Sequence, residues 1–265
     1  MIELIRTLAF LLFGICLSGC GGNSSSPEPV NEDVIATEPG GLDIPDNSAS
    51  DSYQVLIMGN SHVFGIGNIV ETLIQSSMPA KQLMILQAPG SKFLDERIND
   101  GATLPVLNSQ QWTHIILQAQ KYSLSGTVIY PTTAAETWIR LSKQQGATPV
   151  LFPEHPRRGN LVEGRSVYEL HQSIAENEKS CVAPVGLAWD EALHRQPTLS
   201  LYSADGNHAS ETGALLSSMV FYQIITGEPA VGLPFIETFA ADEATQLLLR
   251  EVVSSILSLY PACQY

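Results

Sequence analysis

Tyr53-Gln54-Val55-Leu56-Ile57-Met58-Gly59-Asn60-Ser61-His62 is the stretch that decides the fold. Its apolar centre is continuous instead of alternating, as expected of a strand covered on both faces, and it stops at a glycine where the chain turns. Similar runs recur at 82–87, 114–118, 148–152 and 181–185. The stretches between them are long enough for helices, notably 133–145 and 164–179. Strand alternating with helix predicts a three-layer α/β/α, flavodoxin-like fold with a mostly parallel five-stranded sheet. Beyond the fifth strand the pattern is helical only, at 187–194, 211–226 and 241–259, with Leu247, Leu248, Val252 and Ile256 on one face. A chain that is 44% hydrophobic can bury one core over this length, and no internal repeat argues for more than one domain at 53–265.

The formal charge is −14, from 27 acidic and 13 basic residues, and no basic cluster is longer than the pair Arg157 and Arg158. That balance excludes nucleic acid and anionic headgroups as expected partners.

In a doubly wound sheet the ligand crevice lies beyond the carboxyl ends of the strands, so the loops after Met58, Leu86, Leu117 and Phe152 are the ones to inspect. The first places Ser61 where a strand turns into a helix. A hydroxyl there either projects into the crevice or merely caps the helix. The second feature, Asp205-Gly206-Asn207-His208, enters a strongly helical segment with Ser210 as its N-cap candidate. One short loop can thus supply an imidazole and the carboxylate that orients it, although the same spacing also fits a plain surface turn.

Together, Ser61 near the first strand and the D-x-x-H group before the last helices resemble the SGNH (GDSL-type) hydrolase superfamily. The matching segments are Val55 to His62, Asp205 to Ser210 with Gly213, and Pro184-Val185-Gly186-Leu187-Ala188-Trp189. The resemblance spans 53–234. It implies Ser61 as nucleophile, His208 as general base and then acid, and Asp205 as the group that orients His208. It also implies an oxyanion hole built from the Ser61 N–H and the Gly90 N–H, within Ala88-Pro89-Gly90-Ser91. The superfamily's Asn after the third strand is here Leu117-Gln118-Ala119-Gln120, so Gln118 or Gln120 is the expected third donor. No cofactor is implied.

Other candidates carry less. Phe152-Pro153-Glu154-His155-Pro156 either lines the crevice or forms a rigid proline turn, and no second His stands at a zinc-type spacing from Glu154 or His155. His62 is expected at the helix surface or site rim. His114, His171 and His194 read as structural or solvent-facing. Gly65-Ile66-Gly67 lacks the third glycine of a dinucleotide fingerprint, which is Val70 here. Trp112, Trp138 and Trp189 are scattered and read as core or rim packing.

The N-terminus is a unit of its own: Arg6, an apolar run from Leu8 to Leu17, then Leu17-Ser18-Gly19-Cys20. The run is too short for a transmembrane helix and fits a signal peptide at 1–19. The last four residues resemble the bacterial lipobox, which implies that Cys20 is acylated and anchors the protein to a membrane. With Gly21 in place of an aspartate, the resemblance further implies the outer membrane, facing the periplasm or the exterior. Residues 20–52 are then the lipidated Cys and a flexible linker rich in Gly, Ser and Pro. Cys181 and Cys263 remain, either paired in an oxidising compartment or separate thiols.

The expected function is a lipid-anchored esterase that cleaves an acetyl or acyl ester, on a small molecule or a glycan, through a Ser61 acyl-enzyme. Its rivals are an acyltransferase and a catalytically inactive envelope-binding lipoprotein of the same fold.

Overall fold

The computed structural model describes residues 42–265. The signal segment 1–19, the anchor Cys20 and most of the linker lie outside the described residues. Five parallel strands form the sheet: β1 Ser52–Met58, β2 Gln82–Gln87, β3 His114–Gln118, β4 Thr148–Phe152 and β5 Cys181–Val182. Their spatial order is β2-β1-β3-β4-β5. That is the expected flavodoxin-like order, and it places a switch point between β1 and β3, where ligands bind in such sheets.

Right-handed crossovers divide the helices between the two faces. The β1 to β2 connection carries α1 (Ile66–Ser77), and the connections running the other way carry α2 (Leu94–Arg97), α3 (Thr103–Leu107), α4 (Thr133–Gln144) and α5 (Glu163–Asn177). After β5 come α6 (Val185–Arg195), α7 (Glu211–Thr226) and α8 (Glu243–Leu259). Helix α7 packs between α1 and α8 and is buried on nearly every side, which explains its almost uniformly apolar sequence. Ser210 caps its first turn by accepting from the Gly213 N–H, and Gly227, with φ 71°, ends it in the left-handed conformation.

The centre of β1 is wholly enclosed: Val55, Leu56, Ile57 and Met58 are all at most 1% exposed. Each such side chain contributes roughly 1.5–3 kcal/mol by leaving water. Two expectations need correction. The run at 82–87 is not buried like the others, because β2 is an edge strand and Met84 and Leu86 face outward. The fifth run is strand only as far as Val182, since Val185 already begins α6.

The linker, expected to run to Ser52, gives way to packed chain by Leu42. Lys143 Nζ donates to Leu42 O, Thr148 Oγ1 to Pro45 O, and Asn47 Nδ2 to Gly146 O and Thr148 Oγ1. These partners lie at the end of α4, in the loop after it and at the start of β4, so this strap packs at the end of the sheet opposite to the one where the strands finish. Cys181 and Cys263 are joined by a disulfide, and the Val182 N–H donates to Ala262 O, so the C-terminal tail is pinned to the short edge strand.

Candidate active site

The chain beyond β1 is shaped by what Gly59 must avoid. A Cβ there would lie 2.5 Å from Gln118 Oε1 and 2.6 Å from Val63 Cγ1, so only glycine fits. Asn60 then caps a short 3-10 turn, Ser61–Val63, its side-chain oxygen accepting the His62 N–H at 3.1 Å. Capping therefore falls to Asn60, and the Ser61 hydroxyl is left free at the end of the strand.

His208 arrives from the loop before α7. Its Nε2 lies 2.8 Å from Ser61 Oγ, and its Nδ1 lies 2.6 Å from Asp205 Oδ2. An ionised carboxylate can only accept, so Nδ1 carries the proton and Nε2 is free to take one from the serine hydroxyl. The other Asp205 oxygen accepts the backbone N–H groups of Asn207 and His208 at 2.9 and 3.0 Å. The ring N–H of His208, followed by those two backbone donors, holds the Asp205 carboxyl well below the usual carboxylate range. The loop itself is fixed by bonds from Ser203 N to His208 O and from Ser210 N to Leu201 O. Gly213 anchors it further: a Cβ there would lie 2.1 Å from Leu201 O and 2.6 Å from the Trp189 ring. The glycine of the D-x-x-H-x-x-x-x-G pattern is thus a packing requirement.

Two backbone donors in the loops that follow β1 and β2 are left unengaged. The N–H groups of Ser61 and Gly90 make no hydrogen bond among the described residues. Gly90 has φ 73°, a conformation suited to glycine. Its loop is tied to that of Gly59 by Arg97, which is fully buried and donates to Pro89 O at 3.1 Å, Gly90 O at 2.8 Å and Gly59 O at 2.6 Å. In a planar trans peptide the N–H opposes the carbonyl, so the Gly90 N–H points away from the guanidinium that holds Pro89 O.

The expected glutamine donors do not join them. Gln118 is fully buried; its Oε1 accepts the Asn60 N–H at 2.8 Å and its Nε2 donates to Glu154 Oε2 at 2.5 Å. Gln120 spends its amide hydrogens on Lys121 O and Pro131 O. Between them Ala119 has φ 76°, alone among the described non-glycine residues in being positive, and its carbonyl accepts the Leu94 N–H. Gln118 is consequently a brace beneath the serine loop, and its partner Glu154 is the residue after β4 that the proline segment delivers to the site.

Beneath the dyad lies a layer of aromatic and imidazole rings. Of the two places expected for His62, the site and not the helix surface holds it: it lines the cavity, its side chain is 8% exposed, and it stacks on the His208 ring, 5.0 Å between centroids at 24°. His155 stacks on Trp189 at 3.8 Å, and its Nε2 lies 2.9 Å from Asn207 O. Burial pushes His62 down from its ordinary value and His155 down to about 3, so both are neutral supports at neutral pH. His114 and His171 are likewise buried and low, at about 3 and about 4, whereas His194 is exposed on α6. Trp112, Trp138 and Trp189 are all core. Gly65 starts α1 in a left-handed conformation, and Gly67 allows α1 to approach Ile85, so that segment serves packing.

The dyad opens into a cavity of about 790 Å³ walled by Phe93, Tyr122, Tyr130, Leu124, Arg157 and Asn207, among others. Such a space accepts a ligand with both apolar and polar parts.

No family model and no curated protein matches the chain. Among solved structures, it is similar to a DUF4886 family protein from Bacteroides uniformis, at 14% identity with a TM-score of 0.63 over 81% of this chain and 98% of that one. It is also similar to a protein from Slackia heliotrinireducens described as a candidate SGNH hydrolase, at 20% identity with a TM-score of 0.53 over 66% of this chain and 99% of that one.

Proposed function

Starting from the SGNH hydrolase fold that the chain adopts, we propose that it is a serine esterase acting through a Ser61 acyl-enzyme. The observation that carries this reading is the unbroken series Asp205 Oδ2, His208 Nδ1, His208 Nε2 and Ser61 Oγ, with links of 2.6 and 2.8 Å, opening into a cavity. Ser61 Oγ attacks the ester carbonyl while its proton passes to His208 Nε2. The negative charge that develops on the carbonyl oxygen is received by the N–H groups of Ser61 and Gly90. Two backbone donors suffice in other serine hydrolases, and loss of one such donor commonly costs about 3–4 kcal/mol of transition-state stabilisation. The tetrahedral intermediate then breaks its bond to the alcohol, whose oxygen takes the proton from His208 Nε2. Water repeats the sequence on the acyl-enzyme, giving up a proton to His208, and the acid leaves as Ser61 regains its hydrogen.

The further proposal is that the protein is anchored through acylated Cys20 in a bacterial envelope, outer-membrane localised, and that its ester is an acetyl or acyl group borne by a carbohydrate or a small molecule. The sequence of residues 1–20 and the Cys181–Cys263 disulfide, a bond favoured outside the cytoplasm, support export.

The test is fluorophosphonate labelling of the full chain beside Ser61→Ala and His208→Ala, with turnover of 4-nitrophenyl acetate. Labelling and turnover in the wild type, lost in both variants, are expected. A folded wild type that neither labels nor turns over would leave the inactive binding lipoprotein as the better reading.

A further inference from the structure

We infer that the ester taken by this site carries an anionic oxyacid group, a carboxylate or a phosphate, received by Arg157 within the cavity that holds Ser61. The inference rests on the esterase reading and names its substrate class.

Arg157 lines the cavity together with Ser61, His208 and Asn207. Among the described residues it is the one cationic side chain, Lys or Arg, that makes no hydrogen bond or ion pair. Every other one is engaged: Lys121 with Asp95, Arg158 with the carbonyls of Tyr202 and Ser203, Lys143 with Glu178, Arg97 with the loop carbonyls, and the rest similarly. In a chain with a formal charge of −14, a lone unpaired guanidinium opening on the nucleophile's cavity is conspicuous.

None of the nearby carboxylates forms an ion pair with its guanidinium. One Glu154 oxygen accepts from the Gln118 amide, and the other lies 3.2 Å from the Tyr122 hydroxyl, whose one proton is nearer Glu163. Glu163 accepts the Tyr122 hydroxyl on one oxygen and Arg157's own backbone N–H, at 2.7 Å, on the other. Asp205 is committed to His208 and two backbone donors. The Asn207 side chain, on the same wall, also makes no hydrogen bond among the described residues.

The base of the Arg157 side chain is fixed in advance. Pro156 precedes it, Glu163 holds its N–H, and the next residue, Arg158, donates its backbone N–H to Gly206 O at 2.8 Å, tying the segment to the catalytic loop. A planar guanidinium with free donors matches a carboxylate or phosphate in two-pronged geometry. The overall negative charge disfavours anions at a distance, so this cation acts on selection within the cavity and not on capture from solution.

The test compares kcat/KM for a neutral and an anionic ester that share a leaving group, 4-nitrophenyl acetate and the 4-nitrophenyl monoester of glutaric acid. A second pair, phenyl acetate and 4-acetoxybenzoate, places the charge on the alcohol side. In one of the pairs the wild type is expected to prefer the anion, and Arg157→Gln to lower the anionic-to-neutral ratio roughly 10- to 100-fold, the range of a charge-assisted hydrogen bond, with Arg157→Lys recovering part of it. An equal loss on both members, or no preference in either pair, overturns the inference. Calorimetric titration of the same proteins with monomethyl glutarate and with phenyl phosphate reads the anion site without turnover. Binding lost in Arg157→Gln upholds the site even if no ester is cleaved, which would sink only the esterase reading; equal binding in both proteins, or none in either, overturns the site. The ligand that binds more tightly identifies the oxyacid.

Discussion

Exchange of the Gln118 and Glu154 side chains tests whether Gln118 braces the serine loop or serves chemistry. In the folded protein Gln118 accepts the Asn60 N–H and donates to Glu154 Oε2 at 2.5 Å, with Gln118 fully buried and the Glu154 side chain 15% exposed. Gln118→Glu keeps an acceptor for Asn60 but sets two carboxylates against each other. Losing a hydrogen bond to a charged group costs about 1.5–3 kcal/mol, and like charges about 4 Å apart repel by about 4 kcal/mol at an effective dielectric of 20. The single variant should therefore lose roughly 5.5–7 kcal/mol, much of the ~5–15 kcal/mol that holds a domain folded. Glu154→Gln alone replaces a charge-assisted bond with a neutral one and should cost about 1 kcal/mol. The double variant restores an amide-to-carboxylate pair with donor and acceptor exchanged, and should return to within about 1 kcal/mol of the wild type, a coupling of several kcal/mol. Urea unfolding followed by tryptophan fluorescence reads this directly, since all the tryptophans are buried. Labelling by a fluorophosphonate should recover with stability in the double variant. If the double variant were stable yet as inert as a folded Gln118→Glu, residue 118 would have to be a donor in the oxyanion hole and the brace would be wrong. If no stability returned, the pairing itself would be wrong.

Two further outcomes are expected. Cys263→Ala should cost about 4–5 kcal/mol by the loop-entropy relation, because the disulfide spans 82 residues; a urea midpoint equivalent to less than 1 kcal/mol of loss would refute this account. Stability should also fall as pH drops from about 6.5 towards 4. His114, His155 and His171 sit at about 3, about 3 and about 4 in the folded protein against an ordinary 6.5, so only the unfolded chain takes up their protons in that window. Asp190 acts in the opposite sense, burial having raised it to about 6 from 3.8, and its partial exposure reduces its weight. Between two and three net protons remain, a slope of about 3–4 kcal/mol per pH unit, and urea midpoints that stay level between pH 6.5 and 5 would refute it.

Much of this fold was legible because its signals are local. Continuous apolar runs ending at a turn gave β1, β3 and β4, and their alternation with helical stretches gave the parallel topology. β2 looked alike in sequence but lies at an edge, since hydrophobicity does not reveal which strand lacks a neighbour. Residues 42–51 look like linker because their bonds run through backbone carbonyls, which any residue supplies, and through Asp43 and Asn47, residue types common in loops.

The site divides on the same physical line. Ser61, Asp205 and His208 were legible because a doubly wound sheet sends catalytic groups to the carboxyl ends of its strands, and only a few polar residues occupy those loops. What holds them was not. Arg97 reaches three carbonyls from a short helix, Gln118 spans from β3 to the β1 loop and to Glu154 beyond β4, and His62 turns inward to meet His208. Apart from the bonds of Arg97 to Pro89 and Gly90, these contacts join segments far apart in sequence, and each residue type is common on surfaces, so no spacing marks it. Gly59 and Gly213 carry the available trace of this hidden layer, because a Cβ at either would collide with Gln118 or with Trp189 and the Leu201 carbonyl. The glutamines after β3 were assigned to chemistry by position, but position fixes where a side chain starts and not which neighbour claims it. With Gln118 engaged by Asn60 and Glu154, and Gln120 by the carbonyls of Lys121 and Pro131, the proposed oxyanion hole is left to backbone N–H groups alone, and the cavity walls are free to differ in what they admit.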